Sequence, residues 1–142
     1  MIIPDTNLLV YAELSSFPAH GAARSWWQSV LGGTEEVGLP SVVFFGFLRL
    51  VTNPRIFSPA IDVDVAVTRV EAWLAFPHVR VLVPGPRHLE IAFRMLRAAG
   101  TAANLTTDAQ LAAFAIENNA TLCSNDADFA RFSGLTLVNP LA

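Results

Sequence analysis

Short apolar segments alternate with helical segments along the chain, and this alternation most constrains the fold. Strands are predicted at Ile2–Asp5, Val37–Leu39, Val79–Val83, Ala120–Ser124 and Leu135–Val138. Because helical segments separate them, the strands are expected to pair in parallel within an α/β sandwich. They carry few polar positions, as is typical of a sheet that is covered on both faces.

The helical segments are marked by turn residues and by apolar residues at helical spacing. The one after Pro40 is apolar almost all round, which predicts a helix buried on most sides. A later helix is expected to be capped by Asn104 or Thr106. The predicted helices are Asn7–Leu14, Pro18 to Gly32, Pro40 to Thr52, Asp62–Ala75, Pro86–Ala98, the one capped by Asn104 or Thr106, and Asp126–Phe132.

Length and composition predict a single domain over residues 1–142. The residues AVILMFWYC make up 53% of the chain and charged residues only 15%, against a usual charged content of about 25%. This composition excludes intrinsic disorder and indicates that a partner covers some apolar surface. The charge-free stretch Val37–Leu48 is too short to span a membrane, and the N-terminus has no basic region typical of a signal peptide. With Cys123 as the only cysteine, we expect a cytoplasmic protein.

Charge and motifs exclude several classes of function. All nine basic residues are arginine, so mechanisms that need a lysine are excluded. The net charge of −3 argues against a broad cationic surface that would bind nucleic acid. If four of the twelve acids surround a cation, however, eight carboxylates remain against nine arginines, and the net charge of the rest of the surface is about +1. The glycine-rich nucleotide-binding motifs and the serine-nucleophile motif are absent. Scattered histidines argue against a zinc site, and Cys123 is expected to be a buried apolar side chain in a strand.

Acidic residues lie where the predicted strands end. Asp5 ends the first strand, Asp126 and Asp128 follow the strand Ala120–Ser124, and Asp108 begins the helix before that strand. If the two strands are neighbours, all four carboxylates converge on one crevice. Clustered carboxylates repel one another unless a cation lies among them, and oxygen ligands suit Mg²⁺ or Mn²⁺. An ion held this way can activate water against a phosphodiester.

Each acid also has a purely structural interpretation. Asp108 is suitably placed to complement the dipole of its helix, and Asp126 and Asp128 are typical turn and capping residues. At Asp5, by contrast, no structural role explains why an acid ends an apolar strand. Spacing alone leaves both interpretations open.

Three stretches, in order, resemble the PIN-domain ribonucleases. Asp5–Leu9 resembles the opening of that family, Leu105–Ala115 its third acidic motif, and Ala120–Phe129 its closing strand with a hydroxyl residue and a D-x-D-F signature. Phe47–Arg55 resembles one subgroup of VapC toxins from bacterial toxin–antitoxin systems. The use of arginine in place of lysine, together with much alanine, is typical of a protein encoded by a GC-rich genome such as a mycobacterium's. The resemblance implies a PIN-like three-layer α/β/α sandwich with a short, mostly parallel sheet of about five strands.

The resemblance also implies a Mg²⁺-dependent endoribonuclease toxin, with Mn²⁺ as a substitute, that cleaves structured RNA such as tRNA or rRNA. A VapB-type antitoxin is expected to neutralise it, and such toxins usually form homodimers. By position, Asp5, Asp108 and Asp126 match metal-binding acids. Asp128 matches a further acid, and Ser124 matches the hydroxyl residue beside the site.

One position departs from the family pattern. Gly46, three residues before Arg49, occupies the place of a usual glutamate, and Glu13 and Glu90 have no motif support as substitutes. Glu13 is about 12 Å from Asp5 along a helix that rises 1.5 Å per residue. Arg49 is expected to form an ion pair with a site acid, and the three tryptophans to belong to the core or a dimer interface. The departure keeps open an alternative: a weak or inactive PIN-like module that binds RNA or a protein.

Overall fold

All five strands form one parallel sheet in the order β3-β2-β1-β4-β5, and helices cover it to give a three-layer α/β/α sandwich. The structure is a computed structural model that describes residues 1–142. The strands are β1 (Ile2–Pro4), β2 (Val37–Pro40), β3 (Val79–Leu82), β4 (Thr121–Cys123) and β5 (Thr136–Val138). The helices are α1 (Thr6–Glu13), α2 (His20–Leu31), α3 (Ser41–Val51), α4 (Val63–Leu74), α5 (His88–Ala99) and α6 (Thr106–Glu117). Two short 3₁₀ helices lie at Ala103–Leu105 and Ala127–Arg131.

The predicted fold class is confirmed, and each predicted strand and helix is present with small shifts at its ends. One end was predicted wrongly: neither Asn104 nor Thr106 caps α6. Leu105 occupies the cap position without a side-chain hydrogen bond, because Ala103–Leu105 forms a 3₁₀ turn that leads directly into the helix.

The strand order decides which chain segments meet. The central strand β1 pairs with β2 on one side and with β4 on the other, with Pro4 opposite Cys123. The carboxyl ends of β1 and β4 therefore lie side by side, so that the residues following them, Asp5 and Ser124, are neighbours. This is the place where parallel sheets generally bind ligands.

The core lies on both faces of the three central strands. Ile3, Leu39 and Leu122 are fully buried, and Trp27 and Trp73 pack edge to face with ring centroids 5.7 Å apart. The prediction that the tryptophans serve packing is thus confirmed for these two residues. Cys123 is buried in β4, as predicted, and burial raises the pKa of its thiol to about 11.

Helices cover both faces of the sheet, as predicted, and its two edge strands are partly accessible. Val81 on the edge strand β3 and Val138 on the edge strand β5 are about half exposed. The helix α3 is buried on most sides, as predicted: Val43, Phe47 and Val51 are fully buried, and its other apolar side chains except Phe45 pack partly buried against the core. Phe45 is therefore the one apolar side chain of α3 that is largely exposed. No helix is long and apolar enough to span a membrane.

Candidate active site

Asp5 lies immediately after β1, where the chain turns into α1. Its backbone N–H donates to the Cys123 carbonyl at 2.8 Å, which continues the pairing of β1 with β4 by one residue. Its carboxylate is buried at the N-terminus of α1 but makes no capping hydrogen bond to that helix. The pairing of β1 with β4 thus fixes the backbone of Asp5, and contacts other than helix capping orient its carboxylate.

Ser124 connects Asp5 to the following turn. Its side chain is buried, and its hydroxyl donates to Asp5 Oδ2 at 2.7 Å. The Ser124 hydroxyl oxygen also accepts a hydrogen bond from the backbone N–H of Asp126 at 3.0 Å. The hydroxyl thus fixes the Asp5 carboxylate and the start of the Ala127–Arg131 turn relative to one another.

Asp126 and Asp128 occupy different surroundings despite their close spacing. Asp126 is half-buried and caps the 3₁₀ turn, because its Oδ1 accepts the backbone N–H of Asp128 at 2.9 Å. Asp128 is exposed, and its carboxylate lies 3.9 Å from the Arg131 guanidinium. The structural interpretation of Asp126 as a capping residue is therefore correct. This role is compatible with a second role in the candidate site, because Asp126 also lines the cleft described below.

Asp108 lies in the first turn of α6 and faces the same cleft as Asp5 and Asp126. The cleft has a volume of about 490 Å³ and is bounded on its far side by α3. The structure thus brings together three of the four acids singled out in the sequence. Asp128 does not line the cleft, although its negative charge contributes to raising the pKa of Asp108.

The electrostatics of the acids reflect their crowding. Burial raises the pKa of the Asp5 carboxyl, while the Ser124 hydrogen bond and the nearby amides of Thr6 and Asn7 lower it. Burial also raises the pKa of Asp108 to about 6, and the charges of Asp5 and Asp126 add to this effect. Both groups therefore bind protons more readily than ordinary aspartates, which is the behaviour expected where a cation would be stabilising.

The donor set fits a hard divalent ion by its chemistry. Asp5, Asp108 and Asp126 supply only oxygen atoms, and their mutual repulsion favours a positive charge between them. As they stand, however, no group of three or more acidic, histidine or cysteine side chains is arranged to hold an ion. One carboxylate oxygen of Asp5 accepts from Ser124, and one of Asp126 accepts from the backbone N–H of Asp128.

Gly46 of α3 lines the cleft opposite the acids. A Cβ atom at this position would lie 3.2 Å from both Oγ1 and Cγ2 of Thr6, which is a tight but yielding contact. The Thr6 hydroxyl itself donates to the Val43 carbonyl at 3.4 Å. Position 46 is therefore on the side of α3 that faces the site, although a side chain there needs a small shift of Thr6.

Other candidate residues have different outcomes. Arg49 also lines the cleft, but the predicted ion pair with a site acid is wrong, because no acid lies within 4.0 Å of its guanidinium. Glu13 pairs with Arg69 at 3.1 Å and Glu90 with Arg87 at 3.6 Å, so neither replaces the missing glutamate.

Among the cleft residues that the sequence did not single out are Asn7, Phe45 and Thr107. Asn7 and Thr107 lie within the stretches that contain Asp5 and Asp108, so their proximity to those acids was the available signal. Phe45 gave no signal, because it is one of many apolar residues on α3. Its exposed position, with 63% of its surface accessible, becomes apparent only in the structure.

Comparison with known proteins decides the family. A model of the PIN domain matches residues 2–135. The chain belongs to the PIN-domain family. Among curated members, it is 47% identical to Ribonuclease VapC33 of Mycobacterium tuberculosis, over 99% of both chains. It is also 39% identical to Ribonuclease VapC37 of the same species over 100% of this chain and 99% of that protein. Within the PIN-domain family, the chain therefore groups with the VapC proteins.

Solved PIN-domain structures agree in fold. The toxin–antitoxin complex VapBC2 from Rickettsia felis, bound to a DNA fragment from its promoter, includes a chain with a TM-score of 0.71 at 20% identity, over 98% of both chains. VapC20 from Mycobacterium tuberculosis, described as a sarcin-ricin loop cleaving toxin, has a TM-score of 0.69 at 19% identity, covering 99% of this chain and 100% of that one. At such identities the likeness concerns the PIN fold alone.

Proposed function

We propose that this chain is a metal-dependent endoribonuclease that acts as the toxin of a toxin–antitoxin pair. The observation that carries the proposal is the meeting of Asp5, Asp108 and Asp126 in one cleft at the carboxyl ends of neighbouring parallel strands. Relatives named ribonucleases, at up to 47% identity over nearly the whole chain, support RNA as the substrate. We propose Mg²⁺ as the ion, with Mn²⁺ as a substitute, and structured RNA such as tRNA or rRNA as the target.

The three cleft acids would hold the ion, which when bound supplies Lewis acidity toward a phosphodiester and lowers the pKa of water. Ser124 fixes the orientation of the Asp5 carboxylate through its 2.7 Å hydrogen bond. Asp108, whose pKa is raised to about 6, loses its proton near neutral pH and is then able to act as an anionic ligand. Arg49 lies across the cleft without an acidic partner, where it can pair with a substrate phosphate.

The missing carboxylate at Gly46 and the loose arrangement of the acids favour a second candidate, a weak or inactive module that binds RNA or a protein. One measurement distinguishes the two candidate functions. Purified parent protein, Asp5→Asn and Asp108→Asn are incubated with total cellular RNA in Mg²⁺, in Mn²⁺ and in EDTA. Discrete cleavage by the parent alone, abolished by EDTA, supports the enzyme, whereas equal RNA profiles for all three proteins in every buffer would support the inactive module.

We propose a VapB-type antitoxin and a second copy of the chain as protein partners. Several solved neighbours are complexes described as VapBC, which supports the first partner. The exposed apolar residues of α3 and α4, among them Phe45, Val63 and Val65, supply surface that a partner would cover. Phe45 borders the acidic cleft, so a partner that covers it would also restrict access of RNA to the acids.

A further inference from the structure

A second groove, separate from the acidic cleft, lies between α5 and the Ala127–Arg131 turn. We call it the arginine groove. Arg94 and Ala98 of α5 form one side, and Arg131 and Ser133 form the other, with the buried side chains of Met95 and Phe132 at its base. Its volume of about 760 Å³ is within the usual range of small-ligand sites, about 300–1,000 Å³, and is sufficient for a nucleotide.

The charge of this groove is opposite to that of the cleft. Both charged residues in its lining are arginines, and no acid lines it, in a chain whose net charge is −3. Arg94 makes no ion pair. Arg131 Nε donates to the Asp128 backbone carbonyl at 3.2 Å, while a terminal nitrogen of its guanidinium lies 3.9 Å from the exposed Asp128 carboxylate. Two guanidinium groups without close acidic partners are therefore available to an anion, and guanidinium groups bind phosphate particularly well.

Arg131 links the groove to the cleft. The Ala127–Arg131 turn connects the two sites, because Asp126, which caps the turn, lines the cleft, and Arg131, its last residue, lines the groove. One polyanion that follows this short turn can therefore occupy both places. A phosphodiester chain has such a repeating charge, whereas an isolated phosphate does not.

We infer that the arginine groove binds one nucleotide of the RNA substrate outside the scissile bond. The inference rests on the proposed function and extends it, since it names where the RNA continues beyond the acidic cleft. Arg94 and Arg131 bind the phosphate, the Ser133 hydroxyl donates to it, and the apolar base of Met95 and Phe132 contacts the nucleobase. Arg94 and Arg131 are thus positioning residues that increase affinity for longer RNA and do not take part in the chemistry.

RNA binding in EDTA tests the groove without requiring catalysis. A fluorescent single-stranded RNA is titrated with the full chain at several salt concentrations, and anisotropy is recorded. We expect Arg94→Ala to weaken binding about tenfold and to reduce the salt slope by about 0.7, the value for one phosphate contact on a single strand. Ala98→Asp, at an exposed position that can accept the larger side chain, should weaken binding further by placing a carboxylate in the groove.

Two arginines provide matched controls. Arg97 lies on α5 three residues after Arg94 but outside the groove, so Arg97→Ala makes the same change in charge and helix propensity. Arg80 lies on β3, the opposite edge strand of the sheet, and pairs with Glu36. Both variants should bind RNA nearly as well as the parent. Equal affinities and salt slopes for Arg94→Ala and Arg97→Ala, or no binding by the parent at low salt, would overturn the proposal.

The outcomes separate this proposal from the proposed function. If the parent cleaves RNA and Arg94→Ala raises KM while leaving kcat nearly unchanged, both proposals stand. If the parent cleaves RNA but Arg94→Ala changes neither KM nor RNA affinity, the groove is not an RNA site and the nuclease remains. If Arg94→Ala weakens binding of RNA that the parent cannot cleave, the groove stands and the nuclease fails. Displacement of the RNA by inorganic phosphate at low concentration would indicate a small-anion site and overturn the RNA assignment.

Discussion

The Ser124 hydroxyl donates a 2.7 Å hydrogen bond to the Asp5 carboxylate, across 119 residues of sequence. This contact joins the carboxyl ends of β4 and β1 and is the shortest side-chain hydrogen bond in the candidate active site. It stabilises the charged form of Asp5 against the opposing effect of burial. The position of Asp5 in the cleft therefore depends on a residue that is not itself a cleft acid.

Removing this hydroxyl should change both stability and titration. We expect Ser124→Ala to lower the free energy of unfolding by about 1–3 kcal/mol, because a buried carboxylate and the Asp126 N–H both lose a partner. The pKa of Asp5 should rise further, so the acidic limb of any activity profile moves to higher pH. Denaturant unfolding and a pH–activity profile are the measurements. Ser124→Thr, which keeps the hydroxyl, is the control, and identical behaviour of the alanine variant and the parent would contradict the assigned role.

Neutralising a cleft acid should abolish cleavage without unfolding the protein. Asp5→Asn retains an oxygen that can accept the Ser124 hydrogen bond, and Asp108→Asn preserves the shape of the side chain. Each variant loses one carboxylate ligand of the proposed ion, so we expect RNA cleavage and growth inhibition to fall below detection. Circular dichroism verifies the fold, and Asp128→Asn, outside the cleft, should retain more activity than either. Parent-level cleavage by Asp5→Asn or Asp108→Asn in Mg²⁺ would refute the site.

The stability of the ion-free protein should fall as pH rises through the titration of Asp108. Its pKa is raised from 3.8 to about 6 in the folded protein, so between these values the folded state binds more protons than the unfolded state. The resulting penalty is fully present above about pH 6 and is absent below pH 3.8. Because the group is partly solvated, we expect Asp108→Asn to recover only about 1 kcal/mol at neutral pH. Thermal melts in EDTA across this range are the measurement, and a parent curve parallel to that of the variant would contradict the shift.

Restoring a carboxylate at position 46 should strengthen ion binding. Glycine within a helix costs about 1 kcal/mol relative to alanine, while contact of a new Cβ with Thr6 opposes that gain. Gly46→Ala should therefore differ from the parent by less than about 1 kcal/mol and serves as the matched control. Gly46→Glu should show a larger rise in Tm with Mn²⁺ than Gly46→Ala, and tighter binding by calorimetry. Equal Mn²⁺ affinity and stoichiometry in the two folded variants would show that a side chain at position 46 does not reach the ion.

The exposed apolar surface should make the isolated chain associate. Phe45, Val63 and Val65 are at least half exposed, and only 15% of the residues are charged. Without an antitoxin, we expect a dimer or larger species by light scattering, low solubility and inhibition of growth. Phe45→Ser should improve solubility while preserving the fold, since this side chain is outside the core. A concentrated, stable monomer of the parent that has no effect on growth would contradict the expectation.

The sequence by itself determined the order of strands and helices, the parallel sheet and the acids that follow β1 and β4, because these depend on local periodicity and turn residues. It could not decide which acids meet. Asp126 and Asp128 are two residues apart, yet only Asp126 lines the cleft, because capping of the 3₁₀ turn orients the two side chains differently. Tertiary packing also decided that Phe45 is the largely exposed apolar residue of α3 and that Arg49 remains without an acidic partner. It brought Arg94 and Arg131 to one groove from separate elements. Such relationships depend on the placement of segments distant in sequence, which apolar periodicity along one segment does not specify.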